Sequence, residues 1–338
     1  MQTKKKCQPK NKIRLTFMLF CGKIYSVMFV SVKEKVLKIL MESKSAVSGE
    51  LLAKDCGVSR NAVWKAVNSL KSEGYDISGV NKSGYVLKHG DVLSSDELKC
   101  LLGDRLVEVY DTIGSTNTRA KELAAKGAES GSIVISDEQT VGRGRFERRF
   151  ESKRGNGLYI SIILRPDIPA SESMRITAYA AVAAARAIES FGVEGVKIKW
   201  VNDLYLGGKK ICGILTEGSW DIESGRLEYA VVGIGINLGD AEFSGELSDK
   251  ASSVYSQTGI KIPRCALAAR VVRNLENASA EYMKEYRSRS CVIGKKVRVN
   301  NGNDSFEAII DDIDENGFLI AKKGEDLITV NAGEVIMK

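Results

Sequence analysis

GRGRFERRFESKRGNGLYIS, residues 142–161, packs five arginines and four glycines into twenty positions, then runs into the apolar segment Leu158-Tyr159-Ile160. Glycine tolerates φ > 0 and lets a backbone approach a ligand closely. A guanidinium offers a planar fork of donors matched to carboxylate and phosphate oxygens. Short strand-like segments flank the run, at residues 132–135 and 158–164. The stretch therefore reads as a loop between strands that closes over an anionic small molecule. A disordered nucleic-acid-binding tract has similar composition but is usually longer and lacks such flanks.

Working outward, four more constellations carry polar chemistry. Gly114-Ser115-Thr116-Asn117 falls between a strand and a helix, where its hydroxyls and amides either cap the helix or hold a polar ligand group. Lys199-Trp200-Val201-Asn202-Asp203 joins a strand to a tight turn, and Lys209-Lys210 opens the apolar strand Ile211-Cys212-Gly213-Ile214-Leu215. A lysine at a strand entry is ordinarily solvated, so Lys210 means little alone. Gly233-Ile234-Gly235-Ile236-Asn237 is a glycine-laced strand, a pattern that marks close backbone approach or a bulge.

These motifs sit in a region of alternating strands and helices from about residue 105 to 289. Strands are expected at 107–110, 133–136, 158–164, 196–200, 203–206, 211–217 and 229–237. Helices are expected at 117–126, 173–191 and 264–286. Ser94 or Ser95 caps a helix over 96–102 just before it. This is an α+β arrangement with a mixed sheet. The last 48 residues hold short alternating runs at 296–300, 306–312, 318–322 and 327–330. Asn301-Gly302-Asn303 and Asn316-Gly317 form the turns between them, which suggests a small β-barrel.

Upstream, helical spacing covers residues 32–41. Ser48 caps a short helix, 49–56, with Leu51, Leu52 and Ala53 inside, ended by Gly57. Ser59 opens a third helix with Ala62, Val63, Ala66, Val67 and Leu70 inward. Arg60, Asn61, Trp64, Lys65, Asn68 and Lys71 face outward. Strand-like runs at 77–80 and 85–87, around an Asn81-Lys82-Ser83-Gly84 turn, add a wing. Helix-turn-helix patterns also occur in plain packing modules. The wing and the basic residues at the third helix's start favour DNA, with Ser59, Arg60, Asn61 and Lys65 as contacts.

The charge distribution agrees. Residues 1–92 hold 17 Lys and Arg against 7 Asp and Glu, and the remainder 33 against 36. The front of the chain is basic and the rest slightly acidic. Much of that excess lies in residues 1–30, a basic then interrupted apolar stretch too broken to span a membrane. It reads as an upstream extension with Met28 as the native start rather than a secretory signal. Seven scattered cysteines without a C-x-x-C pair point to reduced thiols in the cytoplasm. The single histidine, His89, sits in a polar linker. It excludes a multi-histidine metal site.

Taken in order, these motifs resemble the bifunctional biotin–protein ligases that double as biotin-operon repressors, over about residues 31–338. The resemblance implies a winged helix-turn-helix at 31–90, a class II synthetase-like ligase domain at 91–290 and an SH3-like barrel at 291–338. It implies that Ser115, Thr116, Asn117, Gln139, Arg143, Gly144, Arg145, Lys210 and Gly235 hold biotin. Arg148, Phe150, Asn202 and Asn237 would face the adenylate, and Lys210, Arg145 and Asp203 would form the catalytic group. The implied substrates are biotin and ATP, with Mg²⁺ carried by ATP. The implied partners are a biotin carboxyl carrier protein, operator DNA and, when liganded, a second copy of the chain. Three positions depart from the family pattern. Glu147 stands where glycine is usual, Phe150 where tryptophan is, and Val201 where proline is. A small-anion-sensing transcription factor without ligase activity, or a lipoate-type acyl ligase, would be the alternatives.

Overall fold

The computed structural model describes residues 31–337, apart from 44, 81–82, 89–90, 241–242, 244, 246–247 and 303. The extension at 1–30, His89 and the first half of the wing turn lie outside the described residues.

Three serines start the N-terminal helices. Ser31 caps α1 (Val32–Glu42) in a reciprocal capping box with Glu34. Ser48 caps α2 (Gly49–Cys56) through the Leu51 amide, and Gly57 ends it at φ 69°. Ser59 caps α3 (Arg60–Ser72) through the Ala62 amide. The antiparallel wing follows as β1 (Asp76–Val80) and β2 (Gly84–Lys88). Val36, Leu37, Leu52, Val63, Val67 and Leu70 close a small core beneath them. Leu51 is not part of that core. It is 47% exposed, because the α2 face that carries Leu52 and Ala53 turns it outward.

α4 (Ser95–Leu102), capped by Ser94, leads into a seven-stranded sheet. Its strands are β3 (Val107–Ile113), β4 (Ile133–Gln139), β5 (Gly157–Leu164), β6 (Lys197–Lys199), β7 (Asp203–Leu206), β8 (Lys209–Trp220) and β9 (Leu227–Asn237). The order is β3-β4-β5-β9-β8-β7-β6, with only β3 and β4 parallel. The alanine-rich α6 (Met174–Glu189) is buried in the main core, and α5 (Thr116–Ala125) covers a separate patch with Val134, Ile163 and Val231.

The helix expected over 264–286 is two helices, α8 (Arg264–Glu276) and α9 (Glu281–Ser288). At the break, the Asn277 backbone and side-chain amides both donate to the Arg273 carbonyl, and the next amide, of Ala278, turns to Leu275 three residues back. A one-turn helix α7 (Val254–Thr258) has no apolar periodicity long enough to announce it. The C-terminal sheet contains β10 (Lys296–Asn301), β11 (Asp304–Ile313), β12 (Leu319–Lys323), β13 (Asp326–Val330) and β14 (Glu334–Met337). All pairings are antiparallel, in the order β13-β12-β11-β10-β14, so the end strands β13 and β14 share no ladder. The sequence reading lacked β14.

The winged helix is seated on the ligase region by polar and apolar contacts together. Lys33 of α1 pairs with Asp96 of α4 at 2.8 Å and with Glu73 at 2.9 Å. Nearby, burial pushes the Glu97 carboxyl up to about 7. The Tyr75 hydroxyl opposes that rise and the charge of Asp91 adds to it. The folded state thus holds this proton more tightly than the unfolded chain, whose carboxyl titrates near the ordinary value of 4.5. Stability contributed here is withdrawn as pH rises from about 4.5 to about 7, with no further change above. Glu97→Gln should therefore gain stability over the parent between pH 5 and pH 8. Urea unfolding at the two pH values checks this, and an unchanged difference would exclude Glu97 as the titrating group.

Candidate active site and DNA-facing helix

A cavity of about 510 Å³ opens at the glycine-laced end of the large sheet. Ser115, Thr116, Asn117, Gln139, Arg143, Gly144, Arg145, Arg148, Phe150, Asn202, Asp203, Lys210, Gly235 and Asn237 all line it. Every small-molecule site residue expected from sequence is thus brought to one place.

The polar wall begins at the N-terminus of α5. Ser115 occupies the cap position, yet its side chain makes no capping bond. Instead the Thr116 amide and hydroxyl both donate to Gln139 Oε1, at 2.9 and 3.0 Å, and Gln139 Nε2 donates to Ser152 Oγ at 2.8 Å. The Asn117 side-chain amide donates to the Leu215 carbonyl and to Glu217 Oε2. Ser161 Oγ lies 2.6 Å from Asn117 Oδ1 and 2.8 Å from Thr116 Oγ1. Ser161 was missed in the sequence, although its place on β5 was readable. It is a hydroxyl on the face opposite Leu158, Ile160 and Ile162.

Two glycines of β9 make room for this wall. A Cβ on Gly233 would stand 2.1 Å from Asn117 Oδ1, and one on Gly235 would stand 2.5 Å from the Phe150 ring. The strand glycines do mark close approach, here of side chains to backbone. Phe150 also meets Tyr159 edge-on, with ring centroids 6.4 Å apart.

The cations come from three directions. Lys210 Nζ lies 2.7 Å from Asp203 Oδ1, an atom with no other hydrogen-bonding neighbour among the described residues. Its strand-entry position is only partly solvated, because the chain at Lys250–Ser252 runs alongside and bonds the Lys210 backbone. Arg145 Nη1 donates to Asn202 Oδ1 at 3.3 Å and Nη2 to the Gly333 carbonyl at 2.9 Å. Burial pulls its guanidinium below the ordinary arginine value, although Asp203 and Glu334 oppose that. Arg148 makes a bidentate pair with Glu334 of β14, at 2.6 and 2.7 Å, which holds the carboxyl below its usual range against the opposing effect of burial. Arg143 stands 3.8 Å from Glu217, which Lys121 also holds at 2.6 Å. Glu217 and Glu334 had no sequence signal, the second because β14 itself was unread. Asn237 donates to the Ser252 carbonyl on the far wall.

The arginine run folds back as a tight loop, with the Gly144 amide bonded to the Arg148 carbonyl and the Phe150 amide to the Gly142 carbonyl. Phe146 and Glu147 both adopt the left-handed region, at φ 54° and 57°. Glu147 is exposed and does not line the cavity of the polar wall, but lines an adjacent one beside Arg143, Gly144 and Arg145. Its departure from glycine therefore bears on backbone conformation. A non-glycine residue in this region costs about 1–2 kcal/mol.

On the N-terminal domain, Arg60, Asn61 and Lys65 are exposed, as is Trp64 at 55%. Ser59 spends its hydroxyl on the cap, and Asn68, expected outward, is half-buried. Among the described residues no cluster of three or more His, Cys, Asp or Glu side chains could hold a metal. No described helix is long and apolar enough to cross a membrane.

Comparison with known proteins places this architecture. The biotin/lipoate A/B protein ligase family matches residues 109–237, a helix-turn-helix domain matches 32–86, and the biotin protein ligase C-terminal domain matches 292–338. The bifunctional ligase/repressor BirA of Bacillus subtilis is 34% identical over 305 residues, covering 86% of this chain and 93% of its own length. The Escherichia coli protein of the same name is 27% identical, covering 86% and 92%. The biotin protein ligase from Aquifex aeolicus in complex with biotin and ATP superposes with a TM-score of 0.58 at 25% identity, over 69% of this chain and 98% of that one. The chain belongs to the biotin–protein ligase family, in the bifunctional form that joins a ligase to an N-terminal helix-turn-helix.

Replacing Glu147 by the family's glycine should relieve the loop. Release of a bound acyl-adenylate should slow about fivefold for about 1 kcal/mol of relieved strain. Stopped-flow release rates check this, and faster release from Glu147→Gly would refute the strain argument.

Proposed function

We propose that this protein condenses biotin with ATP to biotinyl-5′-AMP, transfers the biotinyl group to a lysine of a biotin carboxyl carrier protein, and represses transcription when it carries the adenylate. The observation that carries the reading is the convergence of Lys210, Arg145 and the Ser115-Thr116-Asn117 wall on one cavity in a chain that also bears a winged helix.

The chemistry follows from charge. Biotin's carboxylate is ionised at neutral pH and needs no strong base. It attacks the α-phosphorus of ATP, and pyrophosphate leaves with the electron pair of the broken P–O bond. Two anions must meet, so the barrier falls when fixed cations face the developing charge. Lys210 and Arg145 supply them, and Asp203 keeps the lysine ammonium aimed. A magnesium ion brought by ATP would add Lewis-acid charge to the phosphates. Asp203 would be one of the cavity-lining carboxylates able to hold it. Ser115, Thr116, Asn117, Gln139, Arg143, Gly144 and Gly235 hold biotin in this reading, while Arg148, Phe150, Asn202 and Asn237 face the nucleotide. The product is a mixed anhydride that water would destroy, so the loop must cover it. The carrier lysine's neutral amine then attacks the acyl carbon, AMP leaves, and the amine's proton passes to solvent.

Biotin-dependent ATP–pyrophosphate exchange by the purified protein is the direct test; its absence would leave the ligand-sensing and lipoate-type readings. Exchange with lipoate in place of biotin would favour the lipoate-type alternative. Lys210→Ala should lose about 2.7–4 kcal/mol of transition-state stabilisation, by analogy with a removed oxyanion donor. It should also cost about 1–3 kcal/mol of folding stability, because Asp203 Oδ1 loses its partner. Exchange within threefold of the parent would remove Lys210 from the mechanism.

The repressor half predicts a ligand-favoured homodimer that presents two copies of α3 to a palindromic operator. Arg60 and Lys65 would contact bases or phosphates there, beside Ser59 and Asn61. Arg60→Ala should weaken operator binding by about 1–3 kcal/mol and leave exchange intact. Gel shifts at one fixed salt concentration, with and without biotin plus ATP, measure this. Operator affinity indifferent to the ligands would discard repression and keep the ligase.

A further inference from the structure

Arg264 opens α8, is only 6% exposed, and does not line the cavity. Its backbone amide and Nε donate to the two carboxylate oxygens of Asp91, at 2.9 and 2.8 Å, and Nη2 donates to the Asp91 carbonyl at 3.1 Å. Nη1 donates to Asp137 Oδ1. That same oxygen accepts the backbone amide of Gly155 at 2.9 Å, while Arg154 stands 3.4 Å from Oδ2. One buried guanidinium thus joins two chain segments with different duties. Asp91 lies between β2 and α4, on the stretch that connects the winged helix to the ligase sheet. Asp137 grips the return end of the arginine loop. It lies two residues before Gln139, whose side chain holds Thr116 and Ser152 at the pocket wall.

A buried guanidinium is costly unless it keeps its carboxylate partners. Displacing either segment alone would strand it, so both are obliged to shift together. Cys265 strengthens the link by seating its thiol 3.2 Å from the Val92 carbonyl.

We propose that Arg264 is a positioning residue for the ligation reaction. It ties the return end of the adenylate-covering loop to the interdomain segment, so that order in the loop and the seating of the winged helix change together. The proposal rests on the ligase/repressor reading, but one arm of its test uses neither catalysis nor DNA. That arm loads full-length protein with synthetic biotinyl-5′-AMP and measures its release. Asp91→Asn is the informative variant, because the Asp91 side chain is 47% exposed and lies outside the cavity. Arg264→Lys, which keeps the charge but not the fork, is the second. Both should release the adenylate at least about fivefold faster, and Asp91→Asn should keep adenylation at saturating substrates within about twofold. A merely structural staple would lower the melting temperature and leave release unchanged. Release within twofold of the parent in both variants overturns the proposal. In the second arm, the gain in operator affinity on adding biotinyl-5′-AMP should shrink in Asp91→Asn. A parent protein showing no such gain would count against repression alone, and the release arm would still decide the role of Arg264.

Discussion

Two side chains press against β9 where a Cβ would otherwise stand, and the pocket depends on that contact. Asn117 lies over Gly233 and Phe150 over Gly235. The polar N-terminus of α5 thereby reaches the sheet from one side and the arginine loop from the other. Packing at this density leaves no slack, so any larger residue at either glycine must move a ligand-facing group. The cations then sit around a floor that is mostly backbone. Lys210 arrives from the neighbouring strand, Arg145 from the loop, and the barrel-side Gly333 and Glu334 hold the loop's arginines in place.

Much of this was legible because local signals agreed with the final arrangement. The serine caps, the C′ glycine at Gly57, the alternation in β5 and the glycine spacing in β9 each have a local physical cause, and the structure realises them. β7 was readable to the residue, and most other strands differ only by frayed ends. The resemblance then ordered the scattered motifs into one pocket.

What escaped reading was nonlocal. Glu334 matters because Arg148 reaches it across 186 positions, and no pattern around residue 334 announces that. Arg264 looks like an ordinary helix-opening residue until Asp91 and Asp137 are brought to it. The single long helix expected over 264–286 fails because apolar spacing continues through residues 277–280 while the backbone there tightens to bonds three residues back. Leu51 was misplaced for a related reason: three successive apolar residues cannot share one helix face. The left-handed backbone at Glu147 was not legible either, because the sequence records its charge but not its φ.

The bidentate grip of Glu334 on Arg148, with the Gly333 carbonyl on Arg145, also places the adenylate site in time. The ribosome delivers residues 333–337 long after the arginine loop, the lysine strand and the glycine strand have emerged. β14 can join β10 only then, and until it does the two arginines lack their anchors. A nascent chain can therefore bury most of its large sheet while Arg145 and Arg148 still lack these two anchors. The two arginines of the loop are thus among the last side chains of this fold to meet their partners.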